Sequence, residues 1–135
     1  MKTYNLVLES KRSEVFKIES LLLELNNSFE LEMEKFINFQ IAVSEALVNA
    51  IVHGNEENPD KHVYVDIDCD KKKLQVKIRD EGTGFDITEL PDPTNKENIL
   101  KESGRGIYII RTLVDEFDCS SGDKGTVMIL KVFKK

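Results

Sequence analysis

The sequence predicts an α+β fold, a two-layer sandwich in which helices cover one face of a mostly antiparallel, mixed β-sheet. Two observations carry that expectation. Period-2 and period-3.6 stretches separate cleanly along the chain. They follow one another in the order strand, two helices, two strands, loop, helix, two strands. The 135 residues suit one domain, long enough for a two-layer core, so residues 1–135 are expected to fold as a single unit.

The elements can be justified in turn. Thr3 to Glu9 alternates and reads as a strand. Ser10 or Ser13 is then placed to cap a helix whose stripe is Val15, Ile18, Leu22 and Leu25, with Asn26, Asn27 and Ser28 as its break. A second helix is expected from about Glu34 to about His53, stopped by Gly54 and Asn55, with a turn at Pro59 and Asp60. Its apolar residues lie all round: Phe36, Phe39, Val43, Leu47, Ala50 and Ile51 on one side, Ile41, Val48 and Val52 on the other, which predicts burial. Val63, Val65, Ile67 and Cys69 alternate with polar residues, as do Leu74, Val76 and Ile78, and Asp70 to Lys73 reads as the hairpin turn between them. Residues Asp86 to Ser103 are polar, contain Pro91 and Pro93, and show no period, and a segment of that kind is more often functional than idle. A third helix starts near Gly104 and buries Ile107, Ile110, Leu113 and Val114, before a hairpin through Gly122–Gly125 into a strand from Thr126 to Phe133.

Composition narrows the function classes. Lys and Arg number 19 against 25 acids, a net charge of −6, which argues against binding nucleic acid through its phosphates. Cys69 and Cys119 lack metal-ligand spacing and read as free thiols of a reducing compartment. No run of 18 apolar residues and no secretory leader is visible, so a cytoplasmic protein with no membrane segment is expected.

Three places break the apolar pattern. Glu45 and Asn49 lie on one stripe of the second helix, and a buried carboxylate needs a partner, a cation or a wet cavity. Either the two hold each other or they form a site for a hard cation such as Mg²⁺. Asp80 falls on the core face of its strand and opens Asp80-Glu81-Gly82-Thr83-Gly84-Phe85, where the glycines allow close approach to the backbone. A simple turn is the other reading. Gly104-Arg105-Gly106 stands at a helix start, which is either a plain boundary or an anion site to which Arg105 adds fixed charge.

Taken together and in this order, these motifs resemble the boxes of the GHKL ATPase superfamily. Glu45-Ala-Leu-Val-Asn49 through His53-Gly54-Asn55 resembles the N box, Asp80 to Phe85 the G1 box, Gly104-Arg105-Gly106 the G2 box and Gly125-Thr126 the G3 box. The resemblance covers roughly residues 5 to 133. The context of Ser44-Glu45-Ala46 and His53-Gly54-Asn55 is most similar to the anti-sigma-factor serine/threonine kinases, the RsbW-like proteins. It implies the Bergerat ATP-binding fold, ATP with Mg²⁺, and a homodimer. The implied partners are a sigma factor and a STAS-type anti-anti-sigma protein that receives the phosphate.

Carried onto this chain, the resemblance implies that Asn49 coordinates Mg²⁺ and that Asp80 accepts from the adenine amino group, with Thr126 nearby. Gly82 and Gly84 would admit base and ribose, and Gly104, Arg105 and Gly106 would border the phosphates under a lid of residues 86–103. Glu45 would be the general base. Relatives often carry a lid arginine just before the G2 glycines, where this chain has Glu102-Ser103, so Arg105 either replaces it or points elsewhere. His53 has a structural explanation as the cation at a helix C-terminus. The alternative function is a nucleotide-binding module that switches partners without phosphoryl transfer.

Overall fold

A computed structural model of the chain describes residues 2–82 and 102–134, with side chains in the second stretch described from residue 106 onward. β1 (Lys2–Glu9) leads through a 3-10 turn (Arg12–Glu14) into α1 (Val15–Phe29), and α2 (Met33–Val48) continues into a π-helical turn (Asn49–Gly54). β2 (His62–Cys69) and β3 (Lys73–Arg79) form a hairpin, and α3 (Glu102–Leu113) precedes β4 (Glu116–Gly122) and β5 (Gly125–Phe133). The sheet order is β1-β2-β3-β5-β4. Every neighbouring pair is antiparallel.

The alternation expected of β2 and β3 is the alternation found. Val63, Val65, Ile67, Leu74, Val76 and Ile78 point into the core, and their neighbours face outward. Asp70 Oδ1 closes the hairpin by accepting from the Lys72 and Lys73 amides at 2.7 and 2.8 Å. Those two bonds hold its carboxyl below the usual range. β5 inserts between β3 and β4, which brings Thr126 beside the end of β3, where the Asp80 amide donates to the Thr126 carbonyl at 3.0 Å. Cys69 and Cys119 are both free thiols, and burial pushes Cys119 up to about 11.

Several local details differ from expectation for identifiable reasons. α1 runs through Asn26–Ser28 and ends at Glu30, whose φ of 57° is left-handed. Asn26 brackets that end: its carbonyl accepts from the Glu30 amide at 2.9 Å and its Oδ1 from the Leu31 amide at 2.8 Å. Neither serine caps α1. Glu14 turns the corner instead, accepting from the Glu9 amide at 3.0 Å and pairing with Lys17 at 2.6 Å. α2 is buried on its sheet-facing side only. Ile41 is 46% exposed, and Val48 and Val52 are half-buried, because the sheet and the neighbouring helices leave one stripe uncovered. The stretch Met33–Gly54 is long and apolar enough to cross a membrane by composition, a test that the core helix of a sandwich also passes, and 50% of it is buried inside this fold.

Asn55 ties the elements together. It is fully buried, donates through Nδ2 to Ser10 Oγ and to the His62 carbonyl at 3.0 Å each, and accepts at Oδ1 from the Glu81 amide at 2.7 Å. Ser10 in turn donates to the Lys61 carbonyl at 2.6 Å. The side chain therefore joins the end of the long helix to the corner after β1, the start of β2 and the residues after β3. Asn55→Ala removes three bonds at a dry position and is expected to destabilise the fold by about 2–4 kcal/mol. Urea denaturation measures this, and a loss below about 0.5 kcal/mol would dismiss the staple.

Candidate functional site

Asp80 follows β3 on the core face and is 2% exposed. Its Oδ1 accepts from the Gly82 amide at 2.9 Å and the Thr126 amide at 3.0 Å. Burial pushes the carboxyl above the usual range, and those two amides pull the other way. Backbone crowds the group from two sides. A Cβ at Gly54, on the π-helical turn, would overlap Asp80 Oδ2, and one at Gly125, where φ is +120°, would overlap the Asp80 carbonyl. Gly82 fits as closely against the Gly54 carbonyl. Thr126 is buried, with its Oγ1 2.9 Å from Ser121 Oγ.

A second cluster lies one helical turn away along α2. Asn49 is buried, and its Nδ2 has no hydrogen-bond partner among the described residues. Glu45 and Asn49 therefore do not hold each other through that amide. The second turn of α3 closes on both: a Cβ at Gly106 would stand 3.0 Å from Asn49 Nδ2 and 3.3 Å from Glu45 Oε2. Glu45 is half-buried and also lines an open groove between α1 and α2. The π-helical turn starts at Asn49 and ends at Gly54 against Asp80, so one irregular turn links the clusters. Such turns mark functional places in helices more often than chance.

Of the residues singled out in the sequence, Glu45, Asn49 and Gly106 come together, as do Asp80, Gly82 and Thr126. Gly84 and lid residues 86–101 lie outside the described residues. Gly104 and Arg105 are placed by backbone alone, inside α3, which begins at Glu102, ahead of the expected start. His53 is exposed. Sequence reasoning missed Asn55 as a buried bracket and Glu81, whose Oε2 accepts from the His62 amide at 2.5 Å. A Gly-Asn pair at a helix end signals a stop, and nothing local says that both residues reach across to the end of β3.

The donor set fits a hard cation held on a nucleotide. Among the described residues no cluster of three or more His, Cys, Asp or Glu could hold a metal alone. The unpartnered atom of Asn49 is the donor Nδ2, which suits a phosphate oxygen, and a Mg²⁺ held on that nucleotide would take its one protein oxygen from Asn49 Oδ1 and the remainder from phosphates and water.

The antiparallel sheet with helices on one face, closed at one end by a buried aspartate among glycines, places this chain in the GHKL class of ATPase folds. Residues 8–132 match the histidine kinase-like ATPase domain, and the chain belongs to that family. It is 39% identical over 104 residues to an anti-sigma F factor of Heyndrickxia coagulans, covering 73% of this chain and 70% of that protein. It is 37% identical over 102 residues to one from Bacillus cytotoxicus, covering 73% and 69%. Among solved structures it is similar to the RsbU and RsbW domains of a Mycobacterium tuberculosis protein, with a TM-score of 0.70 and 16% identity over 98% of this chain and 32% of that one. The histidine kinase domain of an Erythrobacter litoralis blue-light activated histidine kinase gives a TM-score of 0.58 and 20% identity, covering 90% of this chain and 59% of that one.

The glycine at position 54 is open to a direct test. Gly54→Ala drives a methyl group into the Asp80 carboxylate, so at least 2 kcal/mol of stability (about 2, as for overpacking) should be lost, together with ATP binding. Thermal unfolding and calorimetric titration check it, and wild-type values in both would contradict the packing described.

Proposed function

We propose that this chain, as one domain over residues 1–135, is a serine/threonine protein kinase and anti-sigma factor of the cytoplasm. It binds Mg-ATP as a homodimer and phosphorylates a STAS-type anti-anti-sigma protein, with a sigma factor as its other partner. The observation that carries the reading is the unpartnered, buried Asn49 Nδ2 beside Glu45 under Gly106 of α3. A polar group left without a partner at such a position costs about 1–3 kcal/mol unless a ligand supplies the partner.

Each residue then has a task. Asp80 Oδ1 is committed to two backbone amides, so Oδ2 is the oxygen that accepts from the adenine amino group. Gly82 lets the base approach, and Gly84 extends that role. Gly104, in the first turn of α3, and Gly106, just beyond it, border the phosphates, the first-turn amides favouring the anion, and Arg105 adds positive charge for the γ-phosphate. Mg²⁺, when bound at Asn49, neutralises charge on the phosphate oxygens. Glu45 accepts the proton as the acceptor hydroxyl oxygen bonds to the γ-phosphorus. The bond from that phosphorus to the bridging oxygen breaks, and ADP leaves with the electron pair.

Glu45→Gln keeps the shape and removes the base. It is expected to bind ATP within about 3-fold of wild type and to lose roughly 100-fold or more of the transfer rate, read by radiolabelled phosphate on the STAS protein. Transfer at the wild-type rate would refute the base assignment.

Asp80→Asn turns an NH₂ toward the adenine amino group, two donors facing each other, and should weaken ATP about 10- to 100-fold in calorimetry. The raised pKa adds a pH signature. Protonation of Asp80 removes the acceptor, so nucleotide affinity should begin to fall on acidification above the ordinary carboxylate value of about 3.9. The linked stability has the opposite sense: it is fully present below the unfolded pKa and is lost as pH rises through the folded one. An affinity with the same pH profile in wild type and Asp80→Asn would exclude the role.

A further inference from the structure

α2 carries a second stripe that the nucleotide site does not use. Met33, Ile37 and Ile41 are 67%, 47% and 46% exposed, and at a spacing of four they line up with Glu45 and Asn49 on one side of the helix. Across from them on α1, Phe16 and Leu23 are 69% and 59% exposed, flanking Glu19 on the same side. Between the helices lies an open groove of about 380 Å³ lined by Glu19, Ile37, Gln40, Ile41, Ser44 and Glu45. Its floor is pinned: Ser44 Oγ donates to Glu19 Oε2 at 2.8 Å, and Gln40 Nε2 donates to the Glu19 carbonyl at 3.3 Å. An apolar surface of this kind, rimmed by fixed polar groups, is where proteins meet other proteins.

We propose that this groove docks the acceptor protein, with Ile37 and Ile41 reading apolar side chains that flank the hydroxyl to be phosphorylated. The inference rests on the kinase reading and deepens it. Its occupant follows from Glu45, which forms the end of the groove and also stands against Gly106 of α3. The groove opens Glu45 to a hydroxyl arriving from outside. A second copy of the chain seated here would close off Glu45 and exclude the acceptor. The helix also sets a ruler. At about 1.5 Å of rise per residue, Ile41 and Ile37 stand roughly 6 and 12 Å from the level of Glu45. The acceptor surface is therefore expected to present apolar side chains at those distances from its serine or threonine.

The test uses the full chain and the STAS-type protein encoded in the same genome. Ile37→Glu and Ile41→Glu should each raise the KM for the STAS protein roughly tenfold or more, with the KM for Mg-ATP held within about 2-fold and kcat within about 3-fold. If a charged variant fails to fold, Ile41→Ala should still raise the STAS KM about 3-fold. A photo-crosslinking residue at position 41, with ADP present, should capture the STAS protein, whereas the same residue at Val7, exposed on β1, should not. Unchanged STAS KM in these variants overturns the docking site, as does capture only of a second copy, of the sigma factor or of no added protein. If the wild type transfers no phosphate while position 41 still captures the STAS protein, the kinase reading falls and the docking site stands.

Discussion

Asp80 leaves β3 on the core side with a carboxylate that has almost no access to water. Burying such a group is unfavourable by several kcal/mol unless donors are aimed at it. Both donors in contact come from backbone, the amides of Gly82 and Thr126, and backbone donors can be aimed only by placing whole elements. β5 therefore has to lie next to β3, although β4 comes between them in the chain. The residue before Thr126 has to be a glycine in left-handed conformation, since its own Cβ would meet the Asp80 carbonyl. On the other side, the helix that carries Glu45 and Asn49 widens into a π turn before Gly54 meets the carboxylate. The sheet order, the glycines and the helix irregularity all serve one satisfied carboxylate with one oxygen left over.

Two asparagines only a turn and a half apart differ in how far the fold itself uses the same side chain. Asn55 uses both ends of its amide on protein groups and joins four segments, so its energy is spent entirely within the fold. Asn49 is buried almost as deeply, and its Nδ2 has no partner among the described residues. The difference is not burial, since both sit below a tenth exposed. It is that α3 approaches Asn49 with a glycine, Gly106, which offers backbone close by and no side chain to bond. An amide unconstrained by the protein can turn its oxygen to a cation or its NH₂ to a phosphate oxygen. Under the proposed function, that freedom is what Asn49 keeps for the nucleotide and Asn55 gives up.

Most of the fold was legible because its signals are periodic. Period 2 in β2 and β3 reports a sheet with one covered face, and it survives because both strands lie inside the sheet, with alternate residues pressed against the helices. The candidate site stood out for a related reason: Glu45, Asn49 and Asp80 interrupt those periods, and an interruption on a core face needs a cause. What escaped were relations across the sequence. Asn26 reads as a helix breaker until its side chain is seen closing the end of α1 at Leu31. Ser10 reads as a cap until Asn55 and Lys61 claim it. The exposure of Ile41 was hidden because an apolar residue on a mostly apolar helix carries no mark of which face the sheet covers.

That hidden stripe bears on how α2 should be understood. A helix that is apolar on both sides is ordinarily a fully buried one, and the inner stripe of α2, from Phe36 to Ile51, does meet that description. The outer stripe runs Met33, Ile37, Ile41, Glu45, Asn49 at steps of four, passing from exposed apolar residues through a half-buried acid to a buried amide. Burial along it increases steadily toward the site. A rigid helix seated on a sheet fixes those positions relative to one another better than any loop could. The apolar residues at one end and the polar pair at the other are therefore held in constant register, and a molecule that engages the first is aligned with the second.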